Sequence, residues 1–182
     1  EIVENIVKEY HKIHTYSESD FFVCADMAIE IWNQVKSKGI NAKIHAGNVD
    51  KDIKDSESLR DYLSKVNHAW VLAETSPFKW VALETTGGYL VWGESIEDDS
   101  VAKNNLYYGG LSFNNPREFK KFIELRRNSI KTCNEADRLK YYWNDNYAGK
   151  YKTFESSEFK GKMDSKREDC NDLKNQLMGL TY

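Results

Sequence analysis

Residues 66–84, VNHAWVLAETSPFKWVALE, decide how the middle of this 182-residue chain folds. Two runs rich in aromatic and β-branched side chains, residues 66–73 and 80–83, are separated by a polar segment that contains Pro77. Runs of this kind, bounded by turn-forming residues, are typical of β-strands. The stretch therefore predicts an antiparallel β-hairpin with a Ser-Pro turn.

The length of the hairpin loop predicts which side chains face each other. If Ala73 pairs with Lys79, the loop consists of residues 74–78 and His68 lies directly opposite Glu84. A slip of one residue would put these two side chains on opposite faces, so the inference depends on the loop length. A carboxylate beside a histidine fixes its tautomer and stabilises the imidazolium. The alternative is a polar cross-strand pair at the edge of the sheet.

A cysteine opens the strongest helical pattern in the chain. From Cys24 to Val35, apolar residues recur every three or four positions, and Gly39 follows where a helix would end. A strand is predicted next, over residues 40–46. The amide groups and the positive dipole end of a helix N-terminus stabilise a thiolate, which is the nucleophilic form of cysteine. The alternative is that Cys24 is a small buried hydrophobe at the start of the apolar stripe.

The remaining patterns predict an α+β core over residues 1–112 and a helical appendage over residues 113–182. Residues 94–115 are predicted to be a loop, because their apolar residues show neither the 3.6-residue period of a helix nor the two-residue period of a strand. The other predicted elements are a helix over 2–14, a short helix over 56–63, a strand over 89–92, and appendage helices over 119–133, 136–147 and 164–178, of which the first two can be continuous.

The composition indicates a folded chain. Hydrophobic residues make up 40% and aromatic residues 13%, which argues against global disorder. The length suits one domain with an extension or two small domains. No apolar stretch approaches the ~20 residues of a membrane span, and no signal-peptide pattern opens the chain. Because the first residue is Glu1 and not Met, we expect a processed or trimmed chain, so the lack of a signal-peptide pattern leaves open whether the protein is made with a targeting segment.

The net charge of -3 is unevenly distributed. Residues 1–112 hold 11 basic and 18 acidic side chains, a net charge of -7, whereas residues 113–182 hold 15 and 11, a net charge of +4. Both signs alternate along the basic part, with no run of five like charges. We therefore expect a solvated helical face there and no binding of nucleic acid.

Three motifs resemble the transglutaminase-like superfamily. They are Cys24-x-x-x-Ala28 with the strand that follows it, Asn67-His68-Ala69-Trp70-Val71, and Trp80-Val81-Ala82-Leu83-Glu84-Thr85-Thr86. The likeness covers roughly residues 20–92, and archaeal surface proteins of this superfamily look similar in general plan. It implies a papain-like core, a helix packed on an antiparallel sheet, with the cysteine facing a histidine and an acid. The acid here is Glu84 where the family more usually has Asp, and the extra methylene alters its reach to His68.

The resemblance implies thiol-dependent acyl transfer on amide bonds. Cys24 would be the nucleophile, His68 the general base and acid, and Glu84 the residue that orients His68. The expected partner is a protein or peptide substrate, with no cofactor and no metal. Both a cysteine peptidase and a transglutaminase-type transferase fit; hydrolysis is favoured because the sequence marks neither an amine-acceptor site nor a calcium site. One oxyanion donor would be the backbone N–H of Cys24, with Asn67 and Tyr16 as candidates for the second.

Two other functions stay open at this point. Cys24, His68 and Glu84 are also a possible three-ligand zinc site with an open position. Alternatively, the chain is a binding or scaffold module that keeps the transglutaminase-like fold without catalytic turnover.

The other cysteines and histidines are interpreted as structural. An odd number of cysteines leaves at least one thiol outside any disulfide. Cys133 and Cys170 either pair across a helical hairpin, which requires an oxidising compartment, or are two buried thiols. We expect His11, His14 and His45 to be surface or packing residues, with His45 on the polar face of its strand. An extracellular or cell-surface location is expected, while a cytoplasmic location and the oligomeric state stay open.

Overall fold

The computed structural model describes residues 1–14, 21–54, 56, 58–150 and 153–181, and its architecture is α+β. The chain forms two compact units, Glu1–Phe119 and Lys120–Tyr182. The sequence predicted a boundary after residue 112. A strand, Leu111–Phe113, runs through that position and belongs to the sheet, and the first unit continues to Phe119.

A mixed six-stranded sheet forms the centre of the first unit. Its strands are β1 (Ala42–Gly47), β2 (His68–Ser76), β3 (Lys79–Glu84), β4 (Tyr89–Trp92), β5 (Ala102–Lys103) and β6 (Leu111–Phe113). The spatial order is β5-β4-β3-β2-β1-β6, and only the pairing of β4 with β5 is parallel. Five consecutive residues of β2, from Ala69 to Ala73, are buried. Because side chains alternate along a strand, β2 is covered on both faces.

Among the described residues, three α-helices lie wholly within the first unit: α1 (Ile2–Ile13), α2 (Phe21–Ser37) and α3 (Leu59–Lys65). α2 packs on β1 and β2 and also contacts α1. The predicted apolar stripe of α2 is confirmed, because its members from Cys24 to Val35 are buried, with Trp32 half-buried. Gly39 follows the helix with a φ of 75°, a left-handed conformation that glycine adopts without steric cost.

The hairpin of β2 and β3 is present, but its turn is tighter than predicted. The turn consists of Pro77 and Phe78, and Ala73 pairs with Val81 instead of Lys79. A bulge in β2 near the turn accommodates the difference. The predicted register is therefore wrong by two residues. A shift of two keeps every side chain on its predicted face, because the side chains of a strand alternate with a period of two.

The prediction of a loop over residues 94–115 is wrong. This segment contains β5, β6 and a 3₁₀ helix, Asn105–Tyr108. The side chain of Asn104 caps the 3₁₀ helix by accepting a hydrogen bond from the N–H of Leu106 at 2.9 Å. Strands of two and three residues are too short to show the alternation by which longer strands are recognised. They form because β4 and β1 offer edges to which they can pair.

The second unit is helical. It contains most of α4 (Pro116–Asn146) and α5 (Phe154–Thr181). α4 is one continuous helix, and α5 begins well before the predicted start at residue 164. Cys133 and Cys170 form a disulfide between the two helices, with their Cα atoms 4.9 Å apart. The disulfide is thus present, and Cys24 is the cysteine outside it.

Over the residues that the structure describes, none of the helices combines the length and the apolar character needed to span a membrane.

Candidate active site

His68 and Glu84 lie at the end of the hairpin opposite its turn. His68 is the first residue of β2 and Glu84 is the last residue of β3. Nε2 of His68 lies 2.7 Å from Oε2 of Glu84, so the predicted contact is confirmed. The observed register, continued past the pair Val71 and Leu83, makes the two residues diagonal neighbours and not direct opposites. A long side chain such as Glu can span this diagonal.

Cys24 lies in the first turn of α2, as its fourth residue, and is 1% exposed. The amide groups of this first turn point towards the N-terminal end of the helix, where the helix dipole is positive. The side chain of Cys24 is hydrogen-bonded to His68. Because Nε2 of His68 is bonded to Glu84, Nδ1 is the ring nitrogen that remains for Cys24. The structure therefore joins all three predicted site residues in one line of hydrogen bonds.

His68 is held between two groups that favour its charged form. Burial by itself lowers the pKa of His68, but hydrogen bonds to Cys24 and Glu84, and the negative charges of both, raise it to about 10. Its side chain is 14% exposed, so solvent screens these interactions only weakly. At neutral pH the imidazolium is therefore the favoured form of His68.

The carboxylate of Glu84 is buried and accepts five hydrogen bonds. Oε2 accepts from Nε2 of His68 and, at 2.6 Å, from the hydroxyl of Tyr107. Oε1 accepts from the N–H and the hydroxyl of Thr86 and from the N–H of Gly87. Burial raises the pKa of Glu84, but His68, Thr86 and Tyr107 outweigh burial and lower it to about 2. The carboxylate is thus ionised and fixed in orientation.

Tyr107 is a residue of this site that was not predicted from the sequence. It belongs to the 3₁₀ helix, in the segment that was expected to be a loop. Its carbonyl accepts a hydrogen bond from Nε1 of Trp70 at 2.8 Å, and its ring meets that of Trp70 edge-on at 5.3 Å between centroids. The capping residue Asn104 is the nearest signal in the sequence, and it indicates a turn without indicating what the turn contacts.

The geometry does not suit the zinc interpretation. His68 and Glu84 face each other at 2.7 Å, whereas two ligand atoms of a tetrahedral zinc ion lie roughly 3.3 Å apart. Both oxygens of Glu84 are also occupied by hydrogen-bond donors. Within the described ranges, no group of three or more His, Cys, Asp and Glu side chains is arranged to hold a metal ion.

The other histidines lie apart from these three residues. His11 and His14 are exposed, as predicted. The placement of His45 on a polar face is wrong: it is 7% exposed, and its ring lies beside that of Trp70, with 5.9 Å between centroids. Its Nδ1 donates to the carbonyl of Gly109 at 3.1 Å. Burial lowers the pKa of His45 to about 4, so the ring is neutral at pH 7.

The second oxyanion donor stays a prediction. Asn67 is exposed and directly precedes His68, and its backbone N–H donates to the carbonyl of Gly47 at 2.9 Å. Tyr16 lies outside the described residues.

Comparison with known proteins returns no relatives. No protein-family profile matches the chain, and no curated protein or solved structure matches it at a significant level. The likeness to the transglutaminase-like superfamily is therefore a hypothesis that depends on the three motifs.

Proposed function

We propose that this protein catalyses thiol-dependent acyl transfer on amide bonds, with Cys24 as nucleophile, His68 as general acid and base, and Glu84 as the residue that orients His68. The observation that carries the proposal is the continuous hydrogen-bonded line from a cysteine in the first turn of a helix, through a histidine, to a buried carboxylate. This order of groups is the one that thiol acyl transfer requires. It also supports assigning the first unit to a papain-like, transglutaminase-like core.

In the first half of the reaction, the thiolate of Cys24 attacks the carbonyl carbon of the substrate amide. A carbon–sulfur bond forms, and the carbonyl oxygen takes up the negative charge of a tetrahedral intermediate. Backbone N–H groups at the start of α2 are the expected donors to that oxyanion, because the helix dipole is positive there. The imidazolium of His68 then gives its Nδ1 proton to the amide nitrogen, the carbon–nitrogen bond breaks, and the amine leaves.

In the second half, His68 is neutral and acts as the base. It takes a proton from water or from an acceptor amine, which attacks the thioester carbon. The carbon–sulfur bond breaks, the acyl group leaves as an acid or a new amide, and the thiolate and imidazolium are restored. Hydrolysis is the favoured outcome, because no motif in the sequence marks an amine-acceptor site.

The disulfide supports an extracellular or cell-surface location. Such bonds persist in oxidising compartments and are rare in the cytosol. The Cys133–Cys170 disulfide joins two helices of the second unit. The substrate, on this proposal, is a protein or peptide that the enzyme meets outside the cell.

A second candidate function is a binding or scaffold module with the same fold. The observation that favours it is the burial of Cys24, which is 1% exposed. A nucleophile must be reached by its substrate, whereas a buried cysteine in a scaffold only packs.

The pH dependence of Cys24 alkylation discriminates between the two functions. The alkylation rate of an ordinary thiol rises about tenfold per pH unit below a pKa of about 8.5. An enzyme with a thiolate–imidazolium pair should react with iodoacetamide at nearly the same rate at pH 6 and pH 8. The ratio of the two rates does not depend on how accessible Cys24 is.

His68→Ala is the matched control for this ratio. It should restore the ordinary pH dependence, because no imidazolium remains to stabilise the thiolate. A wild-type ratio as steep as that of the variant would reject the enzyme and favour the scaffold. A panel of peptide amides, followed by mass spectrometry of the Cys24 acyl-enzyme, would then identify the acyl donor, with Cys24→Ala as the blank.

A further inference from the structure

One oxygen of Glu84 is shared between two donors. Oε2 accepts from Nε2 of His68 at 2.7 Å and from the hydroxyl of Tyr107 at 2.6 Å. Tyr107 is 6% exposed, so water does not compete effectively for this bond. The hydroxyl of Tyr107 therefore binds the same carboxylate oxygen of Glu84 that accepts the hydrogen bond from His68.

Tyr107 is itself rigidly held. Nε1 of Trp70 donates to its carbonyl at 2.8 Å, and the two rings pack edge-on. The ring of Tyr107 also stands edge-on to that of His68, with 6.2 Å between centroids. A donor fixed on both its backbone and its ring can fix the group that it binds.

Glu84 needs such a donor more than an aspartate would. Its side chain has one more rotatable bond, and its carboxylate reaches His68 across a strand diagonal. Thr86 and Gly87 bind only Oε1. A carboxylate held only at Oε1 can still rotate about that contact. Because His68 is the group to be positioned, the donor that fixes the carboxylate plane at Oε2 is Tyr107.

We propose that Tyr107 is a positioning residue for the acyl transfer, which fixes the carboxylate plane of Glu84 so that His68 presents Nδ1 to Cys24. The inference depends on the proposed function, because it assigns a role within that site. Tyr107 contacts neither the nucleophile nor the leaving group on this account; it acts through Glu84.

Tyr108 provides a matched control in the same 3₁₀ helix. Its hydroxyl donates to the carbonyl of Val91 at 2.8 Å and contacts none of Cys24, His68 and Glu84 among its hydrogen-bond partners. Tyr107→Phe and Tyr108→Phe each remove one half-buried or buried hydroxyl and keep the ring. Only Tyr107→Phe removes a donor to Glu84.

The experiment measures the alkylation rate of Cys24 by iodoacetamide from pH 5 to pH 9 in the full chain. Tyr107→Phe should lower the rate at pH 6 about tenfold, as expected for the loss of one hydrogen bond to a charged group. It should also make the pH profile steeper, which a merely structural loss would not do. Tyr108→Phe should keep the wild-type profile. Circular dichroism and the Trp70 Nε1–H resonance verify that both variants are folded.

If Tyr107→Phe does not fold, Asn104→Ala replaces it. This variant keeps the Tyr107 hydroxyl but removes the side-chain cap, a hydrogen bond from the N–H of Leu106, that holds the 3₁₀ helix carrying Tyr107. A twofold to threefold lower rate at pH 6, with a steeper profile, is then expected.

The two proposals fail in different ways. A wild-type protein with the pH profile of an ordinary thiol would overturn the proposed function and, with it, the role of Tyr107. A wild-type protein with a flat profile, matched by a flat profile in Tyr107→Phe or in its substitute, would overturn the role of Tyr107 alone.

Discussion

Nε2 of His68 and Oε2 of Glu84 are 2.7 Å apart, although the residues are diagonal and not opposite in the sheet. His68 begins β2 and Glu84 ends β3, so both stand where the hairpin opens. The glutamate side chain spans the diagonal, and the hydroxyl of Tyr107 donates to the same carboxylate oxygen as His68. The contact therefore depends on side-chain length and on a third residue as well as on strand pairing.

Replacing Glu84 by glutamine should lower the pKa of His68. The wild-type pKa is raised to about 10 in part by the hydrogen bond and the charge of Glu84, and glutamine removes the charge at constant size. A raised histidine pKa stabilises the fold below pH 6.5 and loses that contribution as the pH rises towards 10. The decline in the free energy of unfolding over this interval should therefore be shallower in Glu84→Gln. Histidine-selective NMR titration gives the pKa, and urea unfolding gives the free energy.

Glu74→Gln is the control for this substitution. Glu74 lies near the turn end of β2 and is half-buried, and its carboxylate accepts from the side chain of Asn41 and from the N–H of Phe78. Glu74→Gln should leave the titration curve of His68 unchanged. On the proposed function, Glu84→Gln should lower the rate of acyl transfer by about 10²-fold or more, in addition to its effect on the His68 titration. Equal titration curves in the two variants would contradict the electrostatic account of His68.

Replacing His45 by asparagine should remove one source of acid sensitivity. Burial lowers the pKa of His45 to about 4, so the wild-type protein loses stability as the pH falls from 6.5 to 4. This loss corresponds to about 3 kcal/mol. Asparagine can still donate to Gly109 but does not titrate. At pH 7 we expect His45→Asn to be less stable by about 1–2 kcal/mol because of lost packing.

The unfolding free energies of the two proteins should become equal between about pH 5 and 6, and at pH 4 His45→Asn should be the more stable protein by about 1–2 kcal/mol. Urea unfolding of both at pH 4, 5.5 and 7 measures this directly. Parallel curves across the three pH values would show that His45 is not held neutral by burial.

Alanine should cost more at Gly88 than at Gly39. Both glycines have positive φ, 74° and 75°, so both substitutions carry a similar backbone strain of about 1 kcal/mol. A Cβ on Gly88 would lie 2.5 Å from Cβ of His11 in α1, while a Cβ on Gly39 would meet no atom within 4 Å. We expect a loss of about 1 kcal/mol for Gly39→Ala and about 2–4 kcal/mol for Gly88→Ala.

Denaturant unfolding measures the free energy of unfolding of each variant. Because the backbone strain is similar at the two positions, the difference between the two losses reports on the contact between the turn after Glu84 and α1. Equal losses would mean that α1 can move away without cost.

Removing the disulfide should destabilise the second unit by about 3–4 kcal/mol. Cys133 and Cys170 are 37 positions apart, and closing a loop of this length restricts the unfolded chain by that amount in the chain-entropy estimate. The double variant Cys133→Ser, Cys170→Ser should therefore lose its helical circular dichroism at lower urea concentration. Reduction of the wild-type protein should have a similar effect, and the variant should be insensitive to reductant.

Thiol titration provides an independent readout. Ellman titration of the denatured, non-reduced wild-type protein should count one thiol, that of Cys24. A count of three would contradict the disulfide.

The parts of the site that could be predicted from the sequence depend on local periodicity. The 3.6-residue repeat from Cys24 to Val35 determines the helix, although the helix begins at Phe21, three residues before the cysteine that the sequence placed at its start. The alternation around His68 and Glu84 determines that they share a face. This prediction survived a wrong register because the error was two residues, which is one full period of a strand.

The parts that could not be predicted depend on contacts between distant segments. Tyr107 is 23 positions from Glu84, and no repeat in the sequence connects them. His45 is buried beside Trp70 and is hydrogen-bonded to Gly109, which precedes β6, a strand too short to show a strand pattern. In both cases the contact joins segments that are distant in the sequence, so no local pattern of residues predicts it.

The sequence by itself thus determined the elements that carry Cys24, His68 and Glu84 and the faces on which they lie, because periodicity is a local property of the chain. Only the tertiary structure decided how close His68 and Glu84 come, which donors hold the carboxylate, and that Tyr107 is one of them. Those features depend on the packing of segments that are distant in the sequence. Such contacts produce no repeating pattern of apolar and polar residues, so they cannot be read from periodicity.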